Sequence, residues 1–196
     1  DIRWVGNEHG FAGSTFWSPI NSKQLVIGGS DPDYLNTGEP QGDKWLVGQC
    51  DVSIRPGWFY HAAEDSLVKS PEKLMEIYLK SVGRNGLLLL NLPPDQRGLI
   101  HENDVASLTA WKQNLDRTFA TNLALNAPIN GRGRGNSPGF APEMAVDGSG
   151  TTFWAAQPGV TSDSLELDLS QPTDIRHVVL QEFIPLGQRI QSFRIA

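Results

Sequence analysis

The chain has 196 residues, of which 39% are hydrophobic and six are tryptophan, and its formal net charge is −6 at pH 7. This composition excludes a disordered chain, because disordered segments lack the aromatic and branched residues that offset chain entropy. The basic residues form no stripe, which argues against a nucleic-acid partner, and the longest apolar run is far shorter than the roughly 20 residues that cross a bilayer.

The first predicted element is a short strand at Ile2–Val5, where apolar and polar residues alternate. A segment rich in Gly, Ser, Asn and Pro follows it as far as Pro40. Loops longer than roughly 12–15 residues in a compact domain are usually lids or binding loops. We therefore predict that residues 10–43, which contain Trp17 and precede Trp45, form one wall of a site.

A second strand is predicted in the β-rich run CDVSIRPGWFY, where it ends at Ile54, before Pro56 and Gly57. The single cysteine, Cys50, lies in this strand. It has no CxxC neighbour and no nearby histidine that would activate it, so we expect a small buried apolar group.

Two helices enclose a third strand. Ser70 supplies an N-cap and Pro71 the first helical residue, which predicts a helix over 71–82. We expect glycines at 83 and 86 to hold the following turn at positive φ. The run GLLLLNL then predicts a strand of a parallel sheet, buried on both faces, and a second helix is predicted over 102–118, after His101.

This alternation of strands and helices is typical of part of a β/α barrel or a doubly wound sheet. A complete barrel needs eight strands and roughly 250 residues. We therefore expect the first part of the chain to supply about half of the elements, with the rest encoded upstream.

The composition of the chain changes after Asn122. Segments rich in Gly, Pro and Asn are followed by three short predicted strands, SLELDLS, HVVLQEFI and SFRIA. These strands indicate the start of an antiparallel β-sandwich. The predicted fold class is thus α/β followed by all-β, with an α/β part over residues 1–120 and a partial sandwich over 121–196.

Three segments of the first part carry a family resemblance, namely DIRWVGNEHG, GQCDVSIRPGWFYHAAED and KSPEKLMEIYLKSVGRNGLLLLNLPPDQRGLIHENDV. Together they resemble the second half of the (β/α)8 catalytic barrel of family 29 glycoside hydrolases, the α-L-fucosidases, over roughly residues 1–118. Within this family, the three segments most resemble the branch that removes α-1,3- and α-1,4-linked fucose from Lewis-type glycans.

The resemblance implies a retaining exo-α-L-fucosidase that acts on fucosylated oligosaccharides or glycoconjugates without a cofactor, in a secreted, periplasmic or extracellular location. In the RWVGNE motif it implies that Glu8 is the acid/base, and it implies an aspartate nucleophile upstream of Asp1. Retention requires the two carboxyl groups to lie roughly 5–5.5 Å apart. The alternative for Glu8 is a solvated glutamate at the end of a strand.

Five further residues are candidates for substrate binding. Arg55 is placed by the resemblance near the sugar, where it would donate to fucose hydroxyls or to the nucleophile; the alternative is a structural ion pair with an acid such as Asp51. Trp58 either stacks on the apolar face of a pyranose or packs in the core.

The remaining three candidates are His61, Glu64 and Asp65, which lie on the following loop. They would contact the aglycone sugars, and the alternative is that they are simply solvated. The four histidines of the chain show no metal-ligand spacing, so we predict no zinc site.

The second part resembles a discoidin or coagulation-factor (F5/8) type C module, a galactose-binding-like sandwich related to family 32 carbohydrate-binding modules. Asp147 with Thr151 and Thr152 resembles the structural calcium turn of that fold, and the alternative is a plain Asp-Gly turn. Trp154 is predicted in the sandwich core.

The alternative function is a non-catalytic carbohydrate-binding or scaffolding fragment of such an enzyme. The expected macromolecular partner is the remaining half of the barrel, from the same parent protein or from another chain. Exposed edges of a half-barrel would recruit such a partner, because unpaired strands pair with others.

Overall fold

A computed structural model describes residues 1–26, 28–132 and 139–196. Residue 27 of the predicted site wall and residues 133–138 of the module-like segment lie outside this description. The chain divides into two compact units, Asp1–Phe119 and Ala120–Ala196. The sequence predicts a boundary between residues 120 and 121, one residue after the boundary between these two units.

The first unit combines short strands with helices. Its elements in chain order are β1 (Ile2–Trp4), β2 (Pro19–Ile20), α1 (Pro32–Thr37), β3 (Lys44–Trp45), β4 (Val47–Ser53), α2 (Pro71–Ser81), β5 (Leu87–Asn91) and α3 (Glu102–Thr118), with 3₁₀ turns at Ser22–Gln24, Ala62–Leu67 and Val82–Arg84. Among its described residues, no helix is long and apolar enough to span a membrane.

Strands β1, β4 and β5 form a parallel sheet with β4 in the middle. One face of this sheet packs on the helices, where Val52 and Ile54 form a buried cluster with Leu74 and Ile77 of α2. Trp111 of α3 packs against the same cluster. Burial of this apolar face holds strands and helices together. The parallel pairing of the three strands confirms the predicted α/β arrangement of the first unit.

The opposite face of the sheet is partly open to solvent. Trp4, Gln49 and Leu87 lie side by side in the strand register, and Trp4, Leu87 and Leu89 are 47%, 45% and 48% exposed. The prediction that the Leu-rich strand is buried on both faces is therefore wrong. Successive side chains of a strand point to opposite faces, so alternate leucines meet solvent unless a second layer covers them.

Local capping explains the helix bounds. The Ser70 hydroxyl accepts from the Lys73 backbone N–H at 3.3 Å, and His101 Nδ1 accepts from the Asn103 N–H at 3.2 Å, which satisfies donors that a helix N-terminus leaves open. The predicted helix over 102–118 is confirmed, and the helix predicted over 71–82 ends at residue 81. The positive φ after α2 belongs to Asn85, not to the two glycines that we expected.

The long segment between β1 and β4 is less irregular than the sequence predicts. Strands β2 and β3 pair antiparallel, and α1 begins at an Asp31 N-cap whose side chain accepts from the Asp33 N–H at 3.0 Å. The segment therefore carries its own hydrogen-bonded structure.

Arg3 of β1 fastens this segment to the sheet. Its side chain is 4% exposed and donates to the carbonyl oxygens of Leu35 at 2.8 Å, Leu46 at 2.5 Å, Trp17 at 2.6 Å and Ser18 at 3.1 Å. Burial lowers the pKa of the Arg3 guanidinium from its ordinary value. One charged side chain thus satisfies four backbone acceptors from three parts of the segment.

Cys50 is fully buried in β4, as predicted. Burial, with a smaller contribution from Asp51, raises the pKa of its thiol to about 11. We expect the native thiol to stay protonated at pH 8 and to resist a disulfide reagent such as dithionitrobenzoate, because the thiolate is the reactive form. The same chain in guanidinium chloride should react fully, and rapid labelling of the folded protein would contradict the buried position.

The second unit contains an antiparallel ladder of β6 (Ile129–Gly131) with β7 (Leu165–Leu167). The predicted strand in SLELDLS is confirmed at its centre, whereas the predictions of strands at residues 177–184 and 192–196 are wrong. Apolar side chains there are exposed, such as Val179 at 65% and Phe193 at 70%. A strand needs a neighbouring strand to satisfy its backbone, and in the part of the chain that the structure describes these segments join no β-sheet. A sandwich therefore stays a prediction.

The Asp147 turn closes on itself. Asp147 accepts from the Ser149 N–H at 2.8 Å and from the Thr152 hydroxyl at 2.6 Å, and the hydrogen bonds from Thr152 and Ser149 lower the pKa of the Asp147 carboxyl. Across the described parts of the chain, no cluster of three or more His, Cys, Asp or Glu could hold a metal ion. Trp154 is half-buried, and its neighbour Phe153 packs between Phe140 and Phe183.

Candidate active site

Glu8 lies just beyond the carboxyl end of β1, in a turn bounded by two glycines with positive φ. Gly6 has φ 81° and Gly10 has φ 75°. A Cβ on Gly10 would lie 2.8 Å from the Val52 Cγ1 atom, so only glycine fits where the turn meets the buried cluster. The turn therefore leaves Glu8 exposed while both of its ends are fixed.

The side chain of Asn7 stabilises the same turn from inside. Its Oδ1 accepts from the His9 N–H at 3.1 Å, and its Nδ2 donates to the Phe11 carbonyl at 3.1 Å. Asparagine is well suited to such local side-chain to backbone bonds. The peptide that carries Glu8 is thus shaped by its own neighbours.

Trp58, which follows β4, contacts Glu8 directly. Its indole Nε1 donates to Glu8 Oε2 at 3.0 Å. The Trp58 carbonyl accepts from Asn91 Nδ2 at 2.9 Å, and the same Nδ2 donates to the Ser53 hydroxyl at 3.0 Å. Side chains from the ends of β1, β4 and β5 therefore meet at one edge of the parallel sheet.

A cavity of about 250 Å³ lies beside Glu8, between its turn and the start of α2. Phe11, Pro56, Lys69 and Lys73 line it together with Glu8. The Lys69 ammonium donates to the Ser53 carbonyl at 2.7 Å, and burial, with a smaller contribution from Lys73, lowers its pKa. Glu8 thus has a recess with apolar and cationic walls next to its carboxylate.

Arg55 is fully buried and takes part in an ion pair, but not with the acid suggested from the sequence. Its Nη2 lies 2.9 Å from Asp104 Oδ1, and its Nη1 lies 2.9 Å from Asp65 Oδ1. Asp51 instead accepts from Trp4 Nε1 at 2.6 Å. Burial opposes the charge of Arg55, yet the hydrogen bonds that its guanidinium donates to Asp104 and Asp65 outweigh burial and raise its pKa. Asp51 as the partner of Arg55 was therefore wrong.

The three predicted aglycone contacts lie on or beside the 3₁₀ turn Ala62–Leu67. His61 is exposed and Glu64 is half-buried. Asp65 accepts from Arg55 and lies 3.4 Å from the Tyr60 hydroxyl. Contact of these residues with a sugar stays a prediction.

Two residues of the site carry no signal that sequence reasoning detected. Asn91 ends an apolar run and looks like an ordinary strand end, although it holds the Trp58 peptide. Asp104 looks like a usual acid in the first turn of α3. Its role depends on Arg55, 49 positions away, so no local pattern reveals it.

Comparison with known proteins shows what the chain is similar to. Residues 23–117 match the family model described as alpha-L-fucosidase. Over the whole chain, a relative from Oryza sativa subsp. japonica is 42% identical and Alpha-L-fucosidase 1 of Arabidopsis thaliana is 39% identical. The chain spans 38% of the length of each of these two relatives.

Solved structures of GH29 proteins also superpose on this chain. The crystal structure of SpGH29 superposes with a TM-score of 0.81 at 41% identity, covering 88% of this chain and 37% of that one. A Ruminococcus gnavus GH29 fucosidase in complex with fucose superposes with a TM-score of 0.76 at 31% identity, covering 88% of this chain and 35% of the other. The catalytic domain of such fucosidases is a (β/α)8 barrel.

Proposed function

We propose that this chain forms part of a retaining exo-α-L-fucosidase. The premise is that residues 23–117 match the alpha-L-fucosidase family model and that the likeness to two plant relatives extends over the whole chain. The observation that carries the proposal is the hydrogen bond from Trp58 Nε1 to Glu8 Oε2 at the carboxyl edge of the sheet. Barrel enzymes hold their chemistry at that edge.

Glu8 is the proposed general acid and base. It protonates the departing sugar oxygen and later removes a proton from the water that releases fucose. The indole N–H of Trp58 stabilises the Glu8 carboxylate that forms when the proton passes to the departing oxygen, because a hydrogen bond to a charged acceptor is stronger than one to a neutral acceptor. It also restricts the rotation of the Glu8 side chain.

The nucleophile is proposed to lie outside this chain, on strands that complete the barrel. The chain spans 38% of the length of the two plant relatives, and Leu87 and Leu89 are half exposed on the open face of its sheet. A remaining barrel half, from the same protein or from another chain, would cover this face and bring a second carboxylate toward Glu8.

The finer specificity is also a proposal. We expect α-1,3- and α-1,4-linked fucose on Lewis-type glycans as the substrate, in a secreted, periplasmic or extracellular location. The position of His61 and Glu64 beyond Trp58 supports contacts with the sugar that bears the fucose. The comparisons do not favour the alternative of a non-catalytic carbohydrate-binding piece.

The function is tested by the anomer that is released first. The intact protein should hydrolyse 4-nitrophenyl α-L-fucoside, and NMR should show α-L-fucose before the β anomer, because two displacements retain configuration. Initial β-L-fucose, or no hydrolysis at all, would exclude the proposed reaction.

A Lewis-type trisaccharide should be cleaved faster than an α-1,2-linked fucosyl-galactose.

Replacing Trp58 by phenylalanine should lower kcat/KM on phenyl α-L-fucoside about tenfold or more, because a hydrogen bond to a charged group contributes roughly 1.5–3 kcal/mol. The ring remains, so the apolar contacts are largely kept. The matched control is Trp45→Phe in β3, also partly exposed, which should leave kcat/KM unchanged. Equal losses in both variants would show that the Trp58 hydrogen bond is not what matters.

A further inference from the structure

The segment between β4 and the 3₁₀ turn Ala62–Leu67 carries Trp58 without regular structure of its own. Its apolar tip, Phe59, is 78% exposed and contributes little burial. The Asn91 hydrogen bond to the Trp58 carbonyl holds one point of this segment, and its path on either side of Trp58 needs further support. The cluster that could provide this support lies at the base of the segment.

The Arg55 cluster consists of Arg55, Asp104, Asp65 and Tyr60. Arg55 Nε donates to Asp104 Oδ2 at 3.0 Å and Nη2 lies 2.9 Å from Oδ1, so the guanidinium meets this carboxylate with two nitrogen atoms. Both side chains are fully buried. Arg55 Nη1 donates to Asp65 Oδ1 at 2.9 Å, and the guanidinium carbon of Arg55 lies 4.7 Å from the centre of the Tyr60 ring.

The cluster closes the Trp58 segment at both ends. Arg55 precedes Trp58 in the chain, whereas Tyr60 and Asp65 follow it, and all of them meet at one guanidinium. Asn103 Nδ2 donates to the Asp65 carbonyl at 2.7 Å, which ties the far end to α3. The four residues from Pro56 to Phe59 thus form a loop between Arg55 and Tyr60, with a charged cluster at its base.

We propose that Arg55, held by Asp104 and Asp65, is a positioning residue that acts through Trp58 to orient Glu8 for proton transfer. This inference rests on the proposed function. The side chain of Arg55 is fully buried and fixes the path of the peptide that presents the indole N–H. A planar guanidinium suits this task, because its fork fixes direction as well as charge.

The test compares two leaving groups. Phenyl fucoside needs protonation of its leaving oxygen and 4-nitrophenyl fucoside needs it far less. In the intact protein, Asp104→Asn should lower kcat/KM about ten- to a hundredfold on phenyl fucoside, the range expected when a catalytic group is misplaced, with a much smaller loss on the nitrophenyl substrate. Asp65→Asn, at a partly exposed position, should show the same selectivity if Asp104→Asn fails to fold.

The matched control is Asp116→Asn. Asp116 is an exposed carboxylate of the same helix that pairs with Lys112, so this variant should leave kcat/KM on both substrates unchanged. In a Glu8→Gln background, Asp104→Asn and Asp65→Asn should cause no further loss, because the group that they position is gone. Equal losses on both substrates, or losses that multiply with Glu8→Gln, would overturn the positioning role. If Glu8→Gln itself left the phenyl substrate unaffected, the proposed function would fail instead.

Discussion

Glu8→Gln is expected to lower kcat/KM on phenyl α-L-fucoside about 10²- to 10⁴-fold, the range typical of a lost general acid. Glutamine preserves the size of the side chain and can still accept from Trp58 Nε1, which lies 3.0 Å from Glu8 Oε2. It carries no transferable proton at that position. The loss on 4-nitrophenyl α-L-fucoside should be much smaller, since that leaving group departs without assistance.

A second property of the same variant is its pH profile. The basic limb of kcat/KM reports the acid that must stay protonated, so it should disappear in Glu8→Gln. Glu166→Gln, an exposed glutamate of β7, serves as the control and should retain both the rate and the limb. A surviving basic limb in Glu8→Gln would assign the proton to another group.

Arg3→Met is expected to reduce the free energy of unfolding by about 3 kcal/mol or more, because four backbone acceptors lose a charged donor. Methionine fills much of the same volume but donates nothing. Equilibrium unfolding in guanidinium chloride, followed by tryptophan fluorescence, measures the change.

Arg117→Met is the matched control for this substitution. Arg117 is exposed in the last turn of α3, where its removal leaves no buried acceptor without a donor, so the unfolding midpoint should barely move. If Arg3→Met unfolded at the same denaturant concentration as Arg117→Met, the carbonyl cage around Arg3 would not stabilise the fold.

Local chemistry made the helices predictable. Ser70 and Pro71 mark the start of α2 within one turn, and the 102–118 pattern gave both ends of α3, because caps and apolar spacing depend on neighbours in sequence. The turn after α2 shows the limit of local patterns, since Asn85 takes the positive φ that we expected at two nearby glycines. Asparagine tolerates that region better than most residues.

Burial was harder to predict than element type. The Leu-rich run does form a parallel strand, but Leu87 and Leu89 are half exposed, because burial depends on what covers the second face. Likewise, the segments near Val179 and Phe193 have the apolar residues of strands but join no sheet among the described residues. A strand is a property of the sheet around it.

The candidate site could also be predicted only in part from the sequence. Glu8 was found through a motif that resembles a known family, and the structure adds its turn, its cavity and its contact with Trp58. The sequence left Trp58 either stacking on a sugar or packing in the core, and it did not predict the hydrogen bond from its indole N–H to Glu8. The partner of Arg55 lies on a distant helix, so only the fold could reveal it.

Azide rescue tests the role of Glu8 most directly. In a Glu8→Ala variant of the intact protein acting on 4-nitrophenyl α-L-fucoside, the fucosyl-enzyme should form but hydrolyse slowly, because no base activates water. Added azide needs no base, so it should restore turnover and give α-L-fucosyl azide. Unchanged turnover without azide, or a β-L-fucosyl azide product, would contradict Glu8 as the acid/base of a retaining reaction.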